Sequence, residues 1–236
     1  YFAALARDIE SLGTRDGSRL TIMGWHLSPD IELANGYSLL SLLRRAHRKA
    51  IDIRILIWRN PGEKGGKTAP KEAAKKLKSV GLRKKENYIR LKGDHFWLSH
   101  HQKHVTLYNA NSQSLVAYFG GIDLAVGRYD DERKVVFRRH LENDPNEFNS
   151  HLYNGYSTED LPLRNWEKGY PRMPWQDVQC KIDGRGAYKV VEIFDHFWAS
   201  GKGRLRHSLV PPTRSLSPIA YIQFYDCMYQ KKKTIQ

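Results

Sequence analysis

Alternating hydrophobic and polar positions divide the first sixty residues into two helices and two strands. Residues 1–12 and 38–50 repeat hydrophobic side chains at helical spacing, which predicts two amphipathic helices. Residues 20–25 form a short apolar run and residues 51–58 are rich in β-branched side chains, so both segments predict buried strands. A strand, a helix and a strand at this spacing predict a βαβ unit with parallel pairing.

The remaining pattern predicts further elements on both sides of a long polar region. Residues 71–79 predict a short basic helix, and residues 186–198 predict an amphipathic one. Residues 128–173 show little periodicity, and we interpret them as a long functional loop region with local helix. Further strands are predicted at residues 88–91, 96–108, 115–119, 178–182 and 219–229.

The composition indicates a folded and strongly basic protein. The 236 residues are 40% hydrophobic, and thirteen Tyr, eight Phe and six Trp are too many for a disordered chain. The net charge is +14, and residues 63–92 hold nine Lys and two Arg against three Glu. Such a cluster attracts phospholipid headgroups, nucleic acid phosphates or acidic proteins, or it is simply a solvated, lysine-rich face.

Cysteines and apolar runs give weaker indications about compartment. Cys180 and Cys227 are too few for a disulfide framework and lack zinc spacing, so we expect both to be reduced. No apolar run approaches the roughly 18 residues of a membrane span, and no signal peptide is visible. Because residue 1 is Tyr, we expect a processed chain or a fragment. The expected location is cytoplasmic or at a membrane surface, with a secreted effector as the alternative.

Four histidines within ten residues are the candidate chemistry, and they allow three interpretations. Zinc binding would place His100 and His104 on one helix face, but their segment is aromatic and β-branched. On a strand, residues four apart are about 13 Å apart, which opposes a shared metal. The second interpretation is that these histidines, with His95 and His101, are ordinary surface or core residues.

The third interpretation is phosphoryl chemistry. On a strand, His101 and Lys103 would project from the same face. An imidazole can then attack a phosphodiester while the ammonium neutralises its non-bridging oxygens. The downstream pair Gly120 and Gly121 would let the backbone approach a phosphate closely.

Several motifs in order resemble the phospholipase D superfamily, and more narrowly the first catalytic repeat of eukaryotic and bacterial-effector phospholipases D. They are HHQKHVTLYN, VAYFGGIDLAVGRYDD and PRMPWQDVQCKIDGRGAYKVVEIFDHFW. The resemblance covers residues 1–206 and implies a single catalytic lobe, an α/β sandwich with a central mixed sheet flanked by helices. Residues 207–236 depart from the family.

The resemblance also implies a role for each matching residue. His101 would act as nucleophile or acid/base, Lys103 would clamp the phosphate, and Asp177 would orient the imidazole. No cofactor is expected for this chemistry. Other matching residues would lie near the substrate, although core packing is an equal alternative for the two tryptophans: Gly120, Gly121, Asp123, Trp25 and Trp175.

Two features depart from the family pattern. The last Asp of its HxKxxxxD signature is Tyr108 here, which puts local stability and strand register in question. The family also uses two repeats, and the other H-x-K triplet, His47-Arg48-Lys49, falls in a predicted helix, where its side chains diverge. Three explanations stay open: a twofold homodimer, a fragment of a two-repeat enzyme, or an inactive copy.

The expected function is hydrolysis of a glycerophospholipid, or transfer of its phosphatidyl group, by a half-site that needs a second HxK lobe. The basic cluster at residues 63–92 would then hold the chain at an anionic bilayer. One alternative is a homodimeric nuclease of the same superfamily, which the charge of +14 fits. The other is a pseudoenzyme that binds lipid or a partner chain.

Overall fold

The structure, a computed structural model, describes most of the N-terminal half and separate parts of the remainder. The described residues are 1–14, 16–34, 36–58, 69–82, 89–92, 101–125, 177–199, 222–226 and 233–235. The region 128–173, interpreted above as a loop, lies outside them.

The described elements, in chain order, are α1 (Phe2–Glu10), β1 (Arg19–Gly24), β2 (Glu32–Ala34), β3 (Tyr37–Ser38), α2 (Leu39–Arg48), β4 (Asp52–Trp58), α3 (Ala69–Ser79), β5 (Ile89–Lys92), β6 (His104–Asn109), β7 (Ser114–Gly120), β8 (Val178–Asp183), a 3₁₀ turn (Gly184–Ala187), α4 (Tyr188–Ala199), β9 (Ile222–Asp226) and β10 (Lys233–Ile235). Eight of the strands form one mixed sheet in the order β10-β9-β8-β7-β6-β1-β4-β5, and β2 pairs with β3. The predicted α/β class with a mixed central sheet is therefore confirmed.

The βαβ unit forms as its hydrophobic pattern predicts. Strands β1 and β4 pair in parallel, with Leu20 opposite Ile53, and α2 is the crossover between them. The helix begins after Ser38, whose side-chain oxygen accepts a hydrogen bond from the Ser41 N–H at 3.2 Å. Such a cap satisfies one of the N–H groups that a helix leaves without a partner in its first turn.

Side-chain alternation along the strands builds a core on each face of the sheet. One face of β1 and β4 carries buried residues such as Ile22 and Ile55, which join a single cluster with α1, α2 and α3. The other face carries Met23 and Leu56, which pack against Phe194 and other aromatic residues of α4. Since successive strand residues point to opposite faces, the sheet lies between two helical layers.

The strand predicted over residues 96–108 is shorter than expected. It begins at His104, so His101 and Lys103 precede the strand, and residues 96–100 lie outside the description. The rule that residues i and i+2 on a strand share a face therefore does not explain how those two side chains meet. The zinc interpretation required His104 to lie on a helix, but His104 lies in β6.

Three smaller features were not predicted. They are the β2–β3 hairpin, the short strand β10 and the 3₁₀ turn that precedes α4. The segment 207–236 contributes β9, which pairs antiparallel with β8, and β10, which pairs with β9. In the described part of the chain, no helix is both long enough and apolar enough to cross a membrane.

Candidate active site

Four separate segments of the sequence meet at one edge of the sheet. Strand β1 ends there at Gly24, and its neighbour β6 begins there, because the two strands are antiparallel and Met23 lies opposite His104. Strand β7 runs back and ends at the same edge at Gly120, which lies opposite Gln179 near the start of β8. The sheet topology thus brings together motifs that are far apart in the sequence, from Gly24 to Gln179.

Lys103 and Asp123 form the charged centre of this edge. The Lys103 Nζ lies 3.7 Å from Asp123 Oδ2, and the two side chains are 6% and 0% exposed. Asp123 Oδ1 also accepts hydrogen bonds from the backbone N–H groups of Trp25 and His26, at 3.0 and 3.1 Å. Because a buried carboxylate is costly without such partners, these contacts explain how Asp123 ties the end of β1 to Lys103.

Trp25 brings His101 and Lys103 together. The exposed His101 places its ring edge-on to the Trp25 indole, with ring centroids 5.1 Å apart. The Lys103 Nζ lies 6.0 Å from the centroid of the same indole and donates a hydrogen bond to the His101 carbonyl oxygen at 3.3 Å. Trp25 also stacks on Trp58, with ring centroids 5.4 Å apart, and packs edge-on against the His26 ring, with centroids 4.4 Å apart.

The two glycines pack against β8. The Gly121 N–H donates to the Val178 carbonyl oxygen at 2.9 Å, and a Cβ on Gly121 would collide with the Asp177 carboxylate. A Cβ on Gly120 would collide with the same Val178 carbonyl oxygen. The close approach that requires glycine here is thus an approach to β8, and it sets the Asp177 carboxylate directly on the Gly-Gly turn.

Asp177 and His101 lie at the same edge without a direct bond. Within the described part of the chain, no hydrogen bond joins the His101 imidazole to the Asp177 carboxylate. The expected role of Asp177 as the partner of that ring stays a prediction.

Tyr1 adds a phenol to the surroundings of Asp123. Burial raises the pKa of the Tyr1 phenol far above its ordinary value, and the negative charge of Asp123 raises it further. Tyr1, His26, Lys103 and Asp123 line one small cavity. The phenol therefore stays neutral there and leaves the Asp123 charge to face Lys103.

Comparison with known proteins decides the family. Residues 17–220 match the PLDc family model, which is described as phospholipase D. The chain belongs to the phospholipase D family. In its described residues, no group of three or more His, Cys, Asp or Glu side chains could hold a metal ion.

Curated phospholipases D are similar over most of this chain. Phospholipase D beta 1 of Arabidopsis thaliana is 26% identical over 75% of the chain and 18% of its own length. Phospholipase D A of Dictyostelium discoideum is 28% identical over 94% of the chain and 17% of its own length. The chain therefore spans less than a fifth of the length of these two relatives.

A solved polyphosphate kinase from Porphyromonas gingivalis aligns with 53% of this chain and 19% of its own, at 10% identity and a TM-score of 0.33. That likeness is too slight to support an argument.

The structure shows the surroundings of Tyr108 and of the second H-x-K triplet, the two departures from the phospholipase D pattern. Tyr108 lies inside the β6 ladder, opposite Arg19 on one side and Leu115 on the other, so strand register continues through this position. In the discounted H-x-K triplet, the Lys49 ammonium donates to the carbonyl oxygens of Glu10 and Leu12. Lys49 thus satisfies backbone groups at the end of α1, as the C-termini of helices require.

The structure gathers most of the predicted site residues of this phospholipase D family member and adds two. Trp25, Lys103, Gly120, Gly121, Asp123 and Asp177 meet at one edge, with His101 on Trp25, whereas Trp175 lies outside the described residues. Gln179 was missed: it is fully buried, and its Oε1 accepts the Ile122 N–H at 3.2 Å. Trp58 was missed too. Its strand was predicted to pair with the strand that ends near Trp25, so its place at the end of that strand could have indicated the contact.

Proposed function

We propose that this chain supplies one half of an active site that cleaves or transfers glycerophospholipid phosphodiesters through a phosphohistidine on His101. The observation that carries the proposal is the pairing of an exposed imidazole with a buried ammonium at one tryptophan. Lys103 is held by Asp123, and both Lys103 and His101 contact Trp25. A phosphate at this position would meet a nucleophile and a fixed positive charge together.

The proposed reaction has two balanced steps. In the first, a His101 ring nitrogen attacks phosphorus, the bond from phosphorus to the headgroup oxygen breaks, and the headgroup alcohol leaves with a proton from a second imidazole. In the second, water or another alcohol gives a proton to that imidazole and attacks phosphorus, which releases His101. Lys103 balances the charge on the non-bridging oxygens in both steps.

Asp177 is assigned to orient the His101 ring. Its carboxylate packs on Gly121, at the edge where His101 lies. A carboxylate partner fixes the tautomer of an attacking imidazole and stabilises the cation that develops. Because catalytic hydrogen bonds often form fully only with substrate bound, this role requires the occupied site to bring the two groups together.

The second imidazole is assigned to a second lobe, either another copy of this chain about a twofold axis or a separate half. The described residues offer one H-x-K pair at the site, because Lys49 of the other triplet is bound to the end of α1. The need for a second imidazole follows from the proton that the leaving alcohol must acquire.

The test is a trapping experiment with phosphatidylcholine that carries a labelled phosphate. The wild-type chain is assayed alone and with a second lobe added. In at least one of these conditions it should release choline and form acid-labile labelled histidine, and both signals should be absent in His101→Ala. His47→Ala is the matched control, since it removes an imidazole from the discounted triplet. Label that persists in His101→Ala, or is lost equally in both variants, would contradict the proposal.

A homodimeric nuclease is the second candidate, and the net charge of +14 favours it. It would cut plasmid DNA in the presence of a chelator and depend on His101 in the same way. Binding to liposomes with neither reaction and no phosphohistidine would instead identify an inactive binding protein.

A further inference from the structure

The outer surfaces of helices α2 and α3 each carry a row of exposed cations. On α3, Lys71, Lys75 and Lys78 are exposed and lie at positions i, i+4 and i+7, which share one helix face. On α2, Arg44 and Arg48 are exposed at positions i and i+4. We call these five residues the outer basic surface.

The two helices lie in the same layer. Their buried faces, including Leu43 of α2 and Leu77 of α3, belong to one core cluster on one face of the sheet. The turn that follows α3 contacts α2 near its C-terminal end, because the space beside the Gly81 Cα is filled by the His47 ring. His47 lies between Arg44 and Arg48 in the sequence, and Gly81 follows Lys78, so this contact brings the C-terminal ends of the two rows of cations toward each other.

Neighbouring cations form ion pairs, whereas four cations of the outer basic surface do not. Lys76 pairs with Asp30, and Arg45 pairs with Glu10 at 2.6 Å. Within the described part of the chain, Arg44, Arg48, Lys75 and Lys78 make no ion pair. Asp30 and Glu10 are thus paired with other cations, and Arg44, Arg48, Lys75 and Lys78 remain exposed to solvent.

An exposed aromatic residue connects this surface to the edge that holds the candidate active site. Tyr37 is 38% exposed, and the Arg45 guanidinium lies over its ring at 5.0 Å. The start of α2 follows a loop attached to the segment just after the Gly-Gly turn, since the Leu39 N–H donates to Ile31 O and the Ser28 N–H donates to Leu124 O. Tyrosine suits the headgroup level of a bilayer, where an apolar ring and a polar tip are both solvated well.

We infer that the outer basic surface docks this chain onto an anionic phospholipid bilayer, with Tyr37 at the side nearest the active site. Both helices belong to one layer, and their exposed cations complement acidic headgroups. The inference rests on the proposed function in one respect: a lipid substrate favours a bilayer over another polyanion as the occupant.

The test compares two double variants that lose the same charge. Lys75→Ala with Lys78→Ala removes two cations of the outer basic surface, and Arg185→Ala with Lys189→Ala removes two exposed cations beside or on α4, on the opposite face. Binding is measured by sedimentation with phosphatidylcholine vesicles that contain or lack phosphatidylserine. Each juxtamembrane cation strengthens binding about fivefold, so the first variant should bind phosphatidylserine vesicles roughly 25-fold more weakly.

The expected result is wild-type binding that needs phosphatidylserine, weakens with salt, and is unchanged in the α4-side variant. Equal losses in both variants would show an effect of net charge alone and overturn the inference. So would stronger binding to plasmid DNA than to phosphatidylserine vesicles, with the same dependence on Lys75 and Lys78.

The His101→Ala chain separates this inference from the proposed chemistry. It should bind phosphatidylserine vesicles like the wild type while it forms no phosphohistidine. Vesicle binding without any histidine labelling in the wild type would overturn the chemistry and keep the docking surface. Histidine labelling of the wild type without phosphatidylserine-dependent binding would overturn the docking surface and keep the chemistry.

Discussion

The ammonium of Lys103 and the carboxylate of Asp123 lie 3.7 Å apart in a site where both side chains are almost completely buried. A buried charge pair of this kind rarely stabilises a protein by itself, because removing two charges from water is costly. Asp123 offsets part of that cost with the N–H groups of Trp25 and His26. The pair therefore fixes the position of Lys103 more than it adds to stability.

Replacing Asp123 by Asn should leave the Lys103 cation buried without its counter-charge. The amide oxygen can still accept the two backbone N–H groups, so the shape of the site is kept. We expect the free energy of unfolding to fall by about 3 kcal/mol, as when one member of a buried pair is removed. Urea unfolding measures this change.

The double variant Asp123→Asn with Lys103→Met is the control for that prediction. Removing both charges should recover most of the lost stability, since neither charge is then left alone. Additive losses in the double variant would show that the two groups do not interact.

Replacing Gly121 by Ala should push the Asp177 carboxylate away from the Gly-Gly turn. The added Cβ would overlap Asp177 Oδ1, and the turn is tied to β8 through Val178 O. We expect a loss of about 1–3 kcal/mol from overpacking, measured by thermal or urea unfolding. Asp177→Ala in the same chain should restore part of it, and no restoration would place the strain elsewhere.

Replacing Gln179 by Leu should loosen the turn that carries Asp123. Leu has a similar volume but cannot accept the Ile122 N–H, which would then be buried without this partner. The expected loss is about 1–3 kcal/mol, and hydrogen exchange at Ile122 should quicken. Gln179→Glu, which keeps an acceptor, should protect that amide better than Leu does; equal exchange would show that the hydrogen bond does not hold the turn.

Asp183 should make stability depend on pH in the opposite sense to most carboxylates. Burial raises the pKa of Asp183 and Asp8 raises it further, while Lys181 lowers it. A carboxyl with a raised folded-state pKa contributes stability below its unfolded-state pKa, and this contribution is lost as pH rises through the folded-state value. Asp183→Asn should therefore be more stable than the wild type at neutral pH, by urea unfolding.

The advantage of Asp183→Asn should disappear in acid, where the wild-type carboxyl is protonated. Asp30→Asn, at an exposed carboxylate, is the comparison. An advantage that persists at low pH would mean that charge burial is not its cause.

The sheet centre was predictable from local pattern, and the contacts at its edge were not. The β-branched run that became β4 and the apolar run that became β1 encode burial through their own residues. His101 and Lys103 meet through their contacts with Trp25, about 75 residues earlier in the sequence. Their proximity was predicted correctly, but the predicted cause, a shared face of a strand, does not apply because both residues precede β6. Gln179 was not predicted because its role depends on a hydrogen bond from Ile122, which is distant in the sequence.

The family resemblance supplied what periodicity could not. Asp123 and Asp177 were identified through motif order, and the fold places Asp123 at the end of β1 and Asp177 on the Gly-Gly turn. The packing reason for Gly120, against Val178 O, needed coordinates, because it arises from the pairing of two distant strands.

Because β6 and β7 are antiparallel, the turn that connects them is a suitable site for inserting a reporter. Their connecting turn, residues 110–113, lies at the edge of the sheet remote from Lys103, and Ser112 within it is exposed. A fluorescent reporter or an affinity peptide inserted at Ser112 would therefore leave the chemistry undisturbed. Such a handle would let vesicle binding and turnover be followed in the same molecule.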